Sequence, residues 1–228
     1  MADLFPNGRS RWRPDSAAAA HDHSAISRAH GRARKPLVLL VALALVGAAP
    51  ALAARGDKWV GLQFGGSVPT HDFAESAKTG FEVGVAGTYM HSEHAGVCVD
   101  VAYHRWPGSD AANALVSLLG PGSKVTFDAV QATLQVRYEF RTDGRARPHA
   151  NGGGGMYYVK SRLTTPVGII SGDRQQNFGY VVGAGVDLKV SPTQRVGFGG
   201  TYHHILTSGS DTDLFTVGLS LMFGTGGR

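Results

Sequence analysis

Seven charged residues, Glu82, Asp100, Arg137, Glu139, Asp187, Lys189 and Arg195, fall on the polar side of runs in which apolar and polar residues alternate. Enclosed together, four carboxylates and three bases have two chemical uses. They can form a salt-bridge and hydrogen-bond network that fills an interior, because an isolated charge in a low-dielectric space is very costly. They can instead line a gated pore or a proton path. The histidines raise a different chemistry. His203 and His204 with Ser208, or His104 with Asp100, are residue types of a hydrolase, in which a base activates a hydroxyl nucleophile. The alternation puts His104 and Asp100 on one face but sets no serine beside them. His91-Ser-Glu-His94 offers candidate metal ligands in a turn, where such groups are ordinarily solvated. The charge network is the favoured reading, and no catalytic residue, metal or cofactor is expected.

These residues are positioned by strands. In the last run, Phe215, Val217, Leu219, Leu221 and Phe223 alternate with Thr216, Gly218, Ser220 and Met222, the period of two of an extended chain with one greasy face. Similar runs occupy residues 58–68, 80–90, 97–104, 124–141, 176–190 and 195–205, with turn-forming residues between them. The run over 149–163 is ambiguous, because Gly152–Gly155 carry no pattern. In the 124–141 run, Val125 and Phe127 are out of phase with Val130, Leu134 and Val136, which predicts a bulge near Asp128-Ala129. The loop over 107–123 differs from the others: Ser109 or Asp110 can cap a helix, Gly120-Pro121 can end it, and Ala111, Leu115, Leu118 and Leu119 fall on one side.

Composition agrees with an all-β chain. The 32 glycines in 228 residues are about twice ordinary usage and lack a Gly-X-Y period. Net charge is +5, but seven of the 22 bases and three of the 17 acids lie in residues 1–54. That leaves 15 bases against 14 acids in residues 55–228, so no nucleic-acid partner is expected. Residues 34–54 have a basic start, an apolar core from Leu37 to Val46 and a small-residue end at Ala51-Leu52-Ala53, the order of a secretory signal peptide cleaved after Ala53 or Ala54. An uncleaved anchor helix is the rival reading, and Pro50 with the Ala-rich end argues against it. The expected organisation is a leader and signal peptide over 1–53, in which 1–33 are outside the fold, and one barrel domain over 54–228. Cys98 is the single cysteine, so no intrachain disulfide can form.

Eight runs is an even number, and most reach the roughly 9–11 residues that cross a bilayer when tilted. In hydrocarbon the sheet must close, since an open edge would leave backbone N–H and C=O groups unpaired. The expected fold is all-β: an eight-stranded antiparallel up-and-down transmembrane β-barrel with a short helix in its second extracellular loop. Long connections lie outside and short turns, such as 91–95 and 191–194, in the periplasm. A soluble lipocalin-type barrel would invert the alternation. Its outward face would carry many Lys and Glu, whereas the polar face here is mostly Gly, Thr, Ser and Gln, suited to a narrow interior. Tyr89, Tyr103, Tyr138, Phe140, Tyr202 and Phe223 lie near strand ends, where aromatic girdles belong.

On these residues the chain resembles the small outer-membrane β-barrel family of OmpA/OmpX type. The resemblance covers the Trp59-Val-Gly-Leu-Gln-Phe-Gly-Gly first strand, Arg147-Pro-His before a Gly-rich fifth strand, and the terminal strand. Gly218, Leu221 and Phe223, in Thr216-x-Gly218-x-x-Leu221-x-Phe223, are similar to the signal read by the outer-membrane assembly machinery, although Phe223 is followed by Gly-Thr-Gly-Gly-Arg instead of ending the chain. The resemblance implies a monomer in the cell outer membrane, in contact with outer-membrane lipids and lipopolysaccharide. Some small barrels of this kind deacylate lipid A, but the compact His-x-Ser arrangement of those enzymes is absent here. Three roles follow: a non-enzymatic envelope barrel with a structural or loop-mediated binding role, a narrow porin-like channel for small solutes, and a lipid A-modifying hydrolase. The first is expected.

Overall fold

Alternating side chains specify strands, and in the computed structural model those strands close on one another. It describes residues 56–140, 144–172, 174–207 and 212–224; the leader and signal segment, the turn at 141–143 and Ser208 lie outside these. The elements in chain order are β1 (Lys58–Thr70), α1 (His71–Ser76), β2 (Gly80–Met90), β3 (Ala95–Pro107), α2 (Asp110–Ser117), β4 (Lys124–Glu139), β5 (Ala146–Thr165), β6 (Gly168–Ser171), β7 (Gln175–Ser191), β8 (Gln194–Leu206) and β9 (Thr212–Gly224). Each barrel strand pairs antiparallel with the next, and β1 pairs with β9, so the wall is β1-β2-β3-β4-β5-β7-β8-β9 and back to β1. The ninth strand, β6, stands outside that ring as a hairpin on the far end of β5.

Register fixes which side chains share a face. Leu62 sits opposite Val85 on one side and Leu221 on the other, and Val99 opposite Leu134. All of them point out of the ring, where Leu134 and Val136 are 59% and 64% exposed. The inward set, including Gln63, Asp100, Gln131 and Arg137, is largely buried. The greasy side of every strand is therefore the outside of a closed cylinder, the arrangement that hydrocarbon requires.

The patternless stretch over Gly152–Gly155 is strand. At its two inward positions, Gly153 and Gly155, β5 comes so close to β4 that side chains do not fit. A Cβ on Gly155 would lie 2.6 Å from Thr133 Cα, and one on Gly153 equally close to Gln135 Cα. No bulge occurs at Asp128-Ala129: pairing runs unbroken through Arg105 with Asp128 and His104 with Ala129, and likewise into β5. The phase changes because the interior changes. Phe127 points inward with Ala129 and Gln131, toward an apolar layer at the outer end of the barrel. The register shift that does occur lies between Lys189 and Ser191 at the end of β7.

Both helices sit at the end with the longer loops. In α2 the side chain of Ser109 caps the helix by accepting from the Ala112 N–H at 3.1 Å, and Asn113 Oδ1 accepts from the Val125 N–H at 3.0 Å, tying the helix to the start of β4. Helix α1 lies among the turn-forming residues between the first two runs. It is six residues long, and its one large apolar side chain, Phe73, packs into the barrel mouth.

Candidate functional site

Inside the wall the side chains form three layers. At the periplasmic end Arg137, Glu139, Asp187 and Arg195 meet. Arg137 Nε donates to Glu139 Oε1 at 3.2 Å and its Nη2 to Asp187 Oδ2, while Arg195 Nη1 donates to the same Glu139 oxygen at 2.9 Å. Two guanidinium groups and two carboxylates balance, each side chain being no more than 8% exposed. Arg195 also lies 4.0 Å over the ring of Trp59, which packs with Met90 and Met222 as a floor. Lys189 shares the face of Asp187 by parity but is exposed, at the end of β7 where pairing with β5 stops at Leu188 and the ladder with β8 shifts just beyond it. It is not a member of the network, which corrects the expectation from alternation.

The middle layer is polar and holds Asp100 and Glu82. Gln131 Nε2 donates to Asp100 Oδ1 at 2.6 Å, and Gln63 donates to its other oxygen. Gln131 Oε1 then faces His104 Nε2 at 3.0 Å, so that nitrogen carries the proton and Nδ1 is the acceptor. Ser67 Oγ lies 3.5 Å from Nδ1 and accepts from Trp106 Nε1 at 3.0 Å. A second histidine is held in the same way: Tyr157 OH lies 3.0 Å from His203 Nδ1, and His203 Nε2 3.4 Å from Thr216 Oγ1. A cavity of about 130 Å³ lies in this region, lined among others by Gln63, Asp100, Gln135, Asn151 and Thr201.

Above it the outer layer is apolar. Trp106, Tyr157, Ile205 and Leu214 are buried with Ala77 and Ala129, and Phe73 from α1 closes over Trp106 (edge to face, centroids 5.3 Å apart) and Phe127 (5.6 Å). An ion cluster with a Trp59 floor thus lies at one end of the interior and an aromatic cluster at the other.

The hydrolase residues can now be placed. A serine does lie beside His104, contrary to the sequence reading: it is Ser67, on the inner face of β1 and 37 residues away. It does not make a triad. Among the described residues the carboxylate within 4 Å of His104 is Glu82, 3.9 Å from the same Nδ1 that faces Ser67, while the other ring nitrogen meets a neutral glutamine. Ser67 is also fully buried under the cap. His203 and His204 cannot act together, since adjacent strand residues face opposite sides; His204 turns outward to Asp213 at 2.6 Å. Their proposed partner Ser208 lies outside the described residues. In the His91–His94 turn, His94 Nδ1 lies 3.0 Å from the Glu139 carbonyl oxygen. Among the described residues no group of three metal-ligating side chains gathers.

At the rim, Leu115, Leu118 and Leu119 are 69%, 82% and 68% exposed, so they do not fill the mouth; Phe73 does. The β5–β6 hairpin carries further exposed apolar side chains, Val167, Ile169 and Ile170. The helix end and hairpin tip are close, for a Cβ on Gly120 would lie 3.3 Å from Pro166 Cδ. Gly218 points into the lumen, while Leu221 and Phe223 point outward on β9, the strand that closes the ring.

A closed eight-stranded cylinder with an apolar outer wall and a packed polar interior is an outer-membrane barrel. Residues 39–223 match the model of the outer membrane protein beta-barrel domain, and the chain belongs to that family. Among solved structures it is similar in fold to Neisserial surface protein A (14% identity, TM-score 0.52, covering 74% of this chain and 99% of that one). It is also similar to a major outer membrane protein from Thermus thermophilus (9% identity, TM-score 0.52, covering 75% and 100%). No curated protein matches the sequence. The chain is a cell outer-membrane protein.

Proposed function

We propose that this protein is a non-enzymatic barrel whose lumen is closed and whose activity is the binding of partners through its outer loops. The observation that carries the reading is the contrast between the two ends of the interior and the rim. Side chains that would line a pore are paired to each other, whereas six large apolar side chains on α2, the turn that follows it and the β5–β6 hairpin face solvent. Large apolar side chains left exposed at one end of a barrel mark that end as an interaction surface. The cap over Ser67 and the neutral glutamine on the far nitrogen of His104 support the non-enzymatic part. The porin-like alternative draws support from the cavity of about 130 Å³ alone, and Arg137 and Asp187 of the ion cluster form part of its lining.

The test is to replace residues 109–120 by a Gly/Ser linker of equal length in the full chain and to compare cell-surface binding and envelope permeability with the parent. Loss of surface binding with unchanged barrel folding is the expected result. If every binding and permeability phenotype survives the replacement, the rim is not the working surface.

A further inference from the structure

The outward faces of β3, β4 and β5 change character abruptly at their outer ends. Tyr103, Val130 and Tyr158 are in register and form the last layer of the apolar wall. The next outward layer is Arg105, Asp128 and Lys160, again in register, followed by Pro107, Thr126 and Arg162. Three bases thus sit around one carboxylate immediately above an aromatic layer. Asp128 is saturated: Tyr103 OH donates to it at 2.6 Å, Arg162 Nη2 lies 3.2 Å away and Arg105 Nε 3.7 Å. It is itself buried, while the side chains of Arg105 and Arg162 remain 41% and 34% exposed. One carboxylate cannot neutralise three bases, so the cluster carries surplus positive charge on a lipid-facing wall.

The opposite wall is built differently at the same height. There Tyr202 and Phe215 form the aromatic layer, and above them Asp213 is met by Tyr202 OH at 2.7 Å, His204 Nδ1 at 2.6 Å and His71 Nδ1 at 3.3 Å. Among the described residues of β8 and β9, no lysine or arginine stands in that layer. The surplus charge lies on the β3–β5 side.

We propose that this cluster binds the phosphorylated headgroup of an outer-leaflet lipid through Arg105, Lys160 and Arg162. The position follows from the tyrosine layer, which marks where hydrocarbon gives way to headgroups. The chemistry follows from guanidinium groups, whose planar forks match phosphate oxygens, with an ammonium beside them as a point charge. Asp128 competes with the phosphate for Arg105 and Arg162, and the lipid's acyl chains run down the strip of Tyr103, Val130 and Tyr158. The proposal rests on the outward assignment of the apolar wall and not on the binding role of the loops.

The test uses the full barrel refolded in detergent, with phosphatidic acid and phosphatidylcholine offered together and the retained lipid counted by native mass spectrometry. The parent is expected to prefer phosphatidic acid, and the triple variant R105Q/K160Q/R162Q to lose that preference by on the order of tenfold or more at low salt. Folding of each variant is verified by its heat-dependent gel mobility. D128N, which leaves all three bases and removes the competing charge, is expected to raise the preference. A folded triple variant with the parent's preference overturns the proposal. So does inorganic phosphate that binds the parent as tightly as the lipid does, since the site would then be one for a free anion. Should the triple variant fail to fold, K160Q and D128N decide. Opposite shifts, down and up, support the site, and any other pattern overturns it.

Discussion

Replacing Asp187 by alanine tests whether the periplasmic layer is a balanced ion cluster. In the native barrel two guanidinium groups face two carboxylates; without Asp187, Arg137 and Arg195 share Glu139 alone. The Asp187 side chain is 1% exposed and that of Arg137 8%, so water cannot screen the surplus charge. Breaking one partner out of a buried pair costs about 3–5 kcal/mol, mostly because a charge is left uncompensated. Arg137→Ala should cost a similar amount for the opposite reason, a surplus carboxylate. The double variant R137A/D187A restores neutrality, so its loss should fall short of the sum of the two by about 0.5–3 kcal/mol. Glu93→Ala, on an exposed turn, is the control and should stay within about 0.5 kcal/mol of the parent. The assay is equilibrium urea unfolding in phospholipid vesicles followed by tryptophan fluorescence, to which Trp59 contributes directly because Arg195 stacks on it. Two single variants that each lose less than about 1 kcal/mol, and whose losses simply add, would mean that these four groups are not energetically coupled.

Two further outcomes follow from the wall. Gly155→Val should abolish most folded, heat-shifted barrel on gels, because its Cβ would meet the β4 backbone at Thr133, whereas Ala150→Val on the outward face of the same strand should fold normally. Leu134→Arg should destabilise the vesicle-embedded barrel by about 2–4 kcal/mol, since this side chain faces lipid, while the same change at Leu118 on the rim should cost less than about 0.5 kcal/mol, both read by urea unfolding.

The strands and their lipid-facing sides were legible in the sequence because a period of two is a local property and a closed wall obeys it strand by strand. The Phe215–Phe223 run shows this well: its odd members face out and its even members in. What failed was whatever depends on a neighbour. The Gly152–Gly155 stretch has no pattern of its own and takes its conformation from β4. Val125 and Phe127 broke phase because the interior turns apolar near the mouth, a change of environment that alternation cannot distinguish from a bulge. Lys189 had the right parity, but it lies just past Leu188, where pairing with β5 stops. Helix α1 left little trace, being six residues with a single buried anchor. The contact of Ser67 with His104 joins β1 to β3 across the lumen, and the cluster of Arg105, Lys160 and Arg162 spans two strand pairings; neither can be read without the register.

Whether this lumen is closed is decided by recording from the purified full barrel in a planar lipid bilayer. No stable unitary conductance is expected from the parent. Conductance should appear once both end clusters are removed, in a variant combining Trp59→Ala, Arg195→Ala, Phe73→Ala and Trp106→Ala. Large, steady conductance from the parent would instead make the interior a pore and the paired charges its lining.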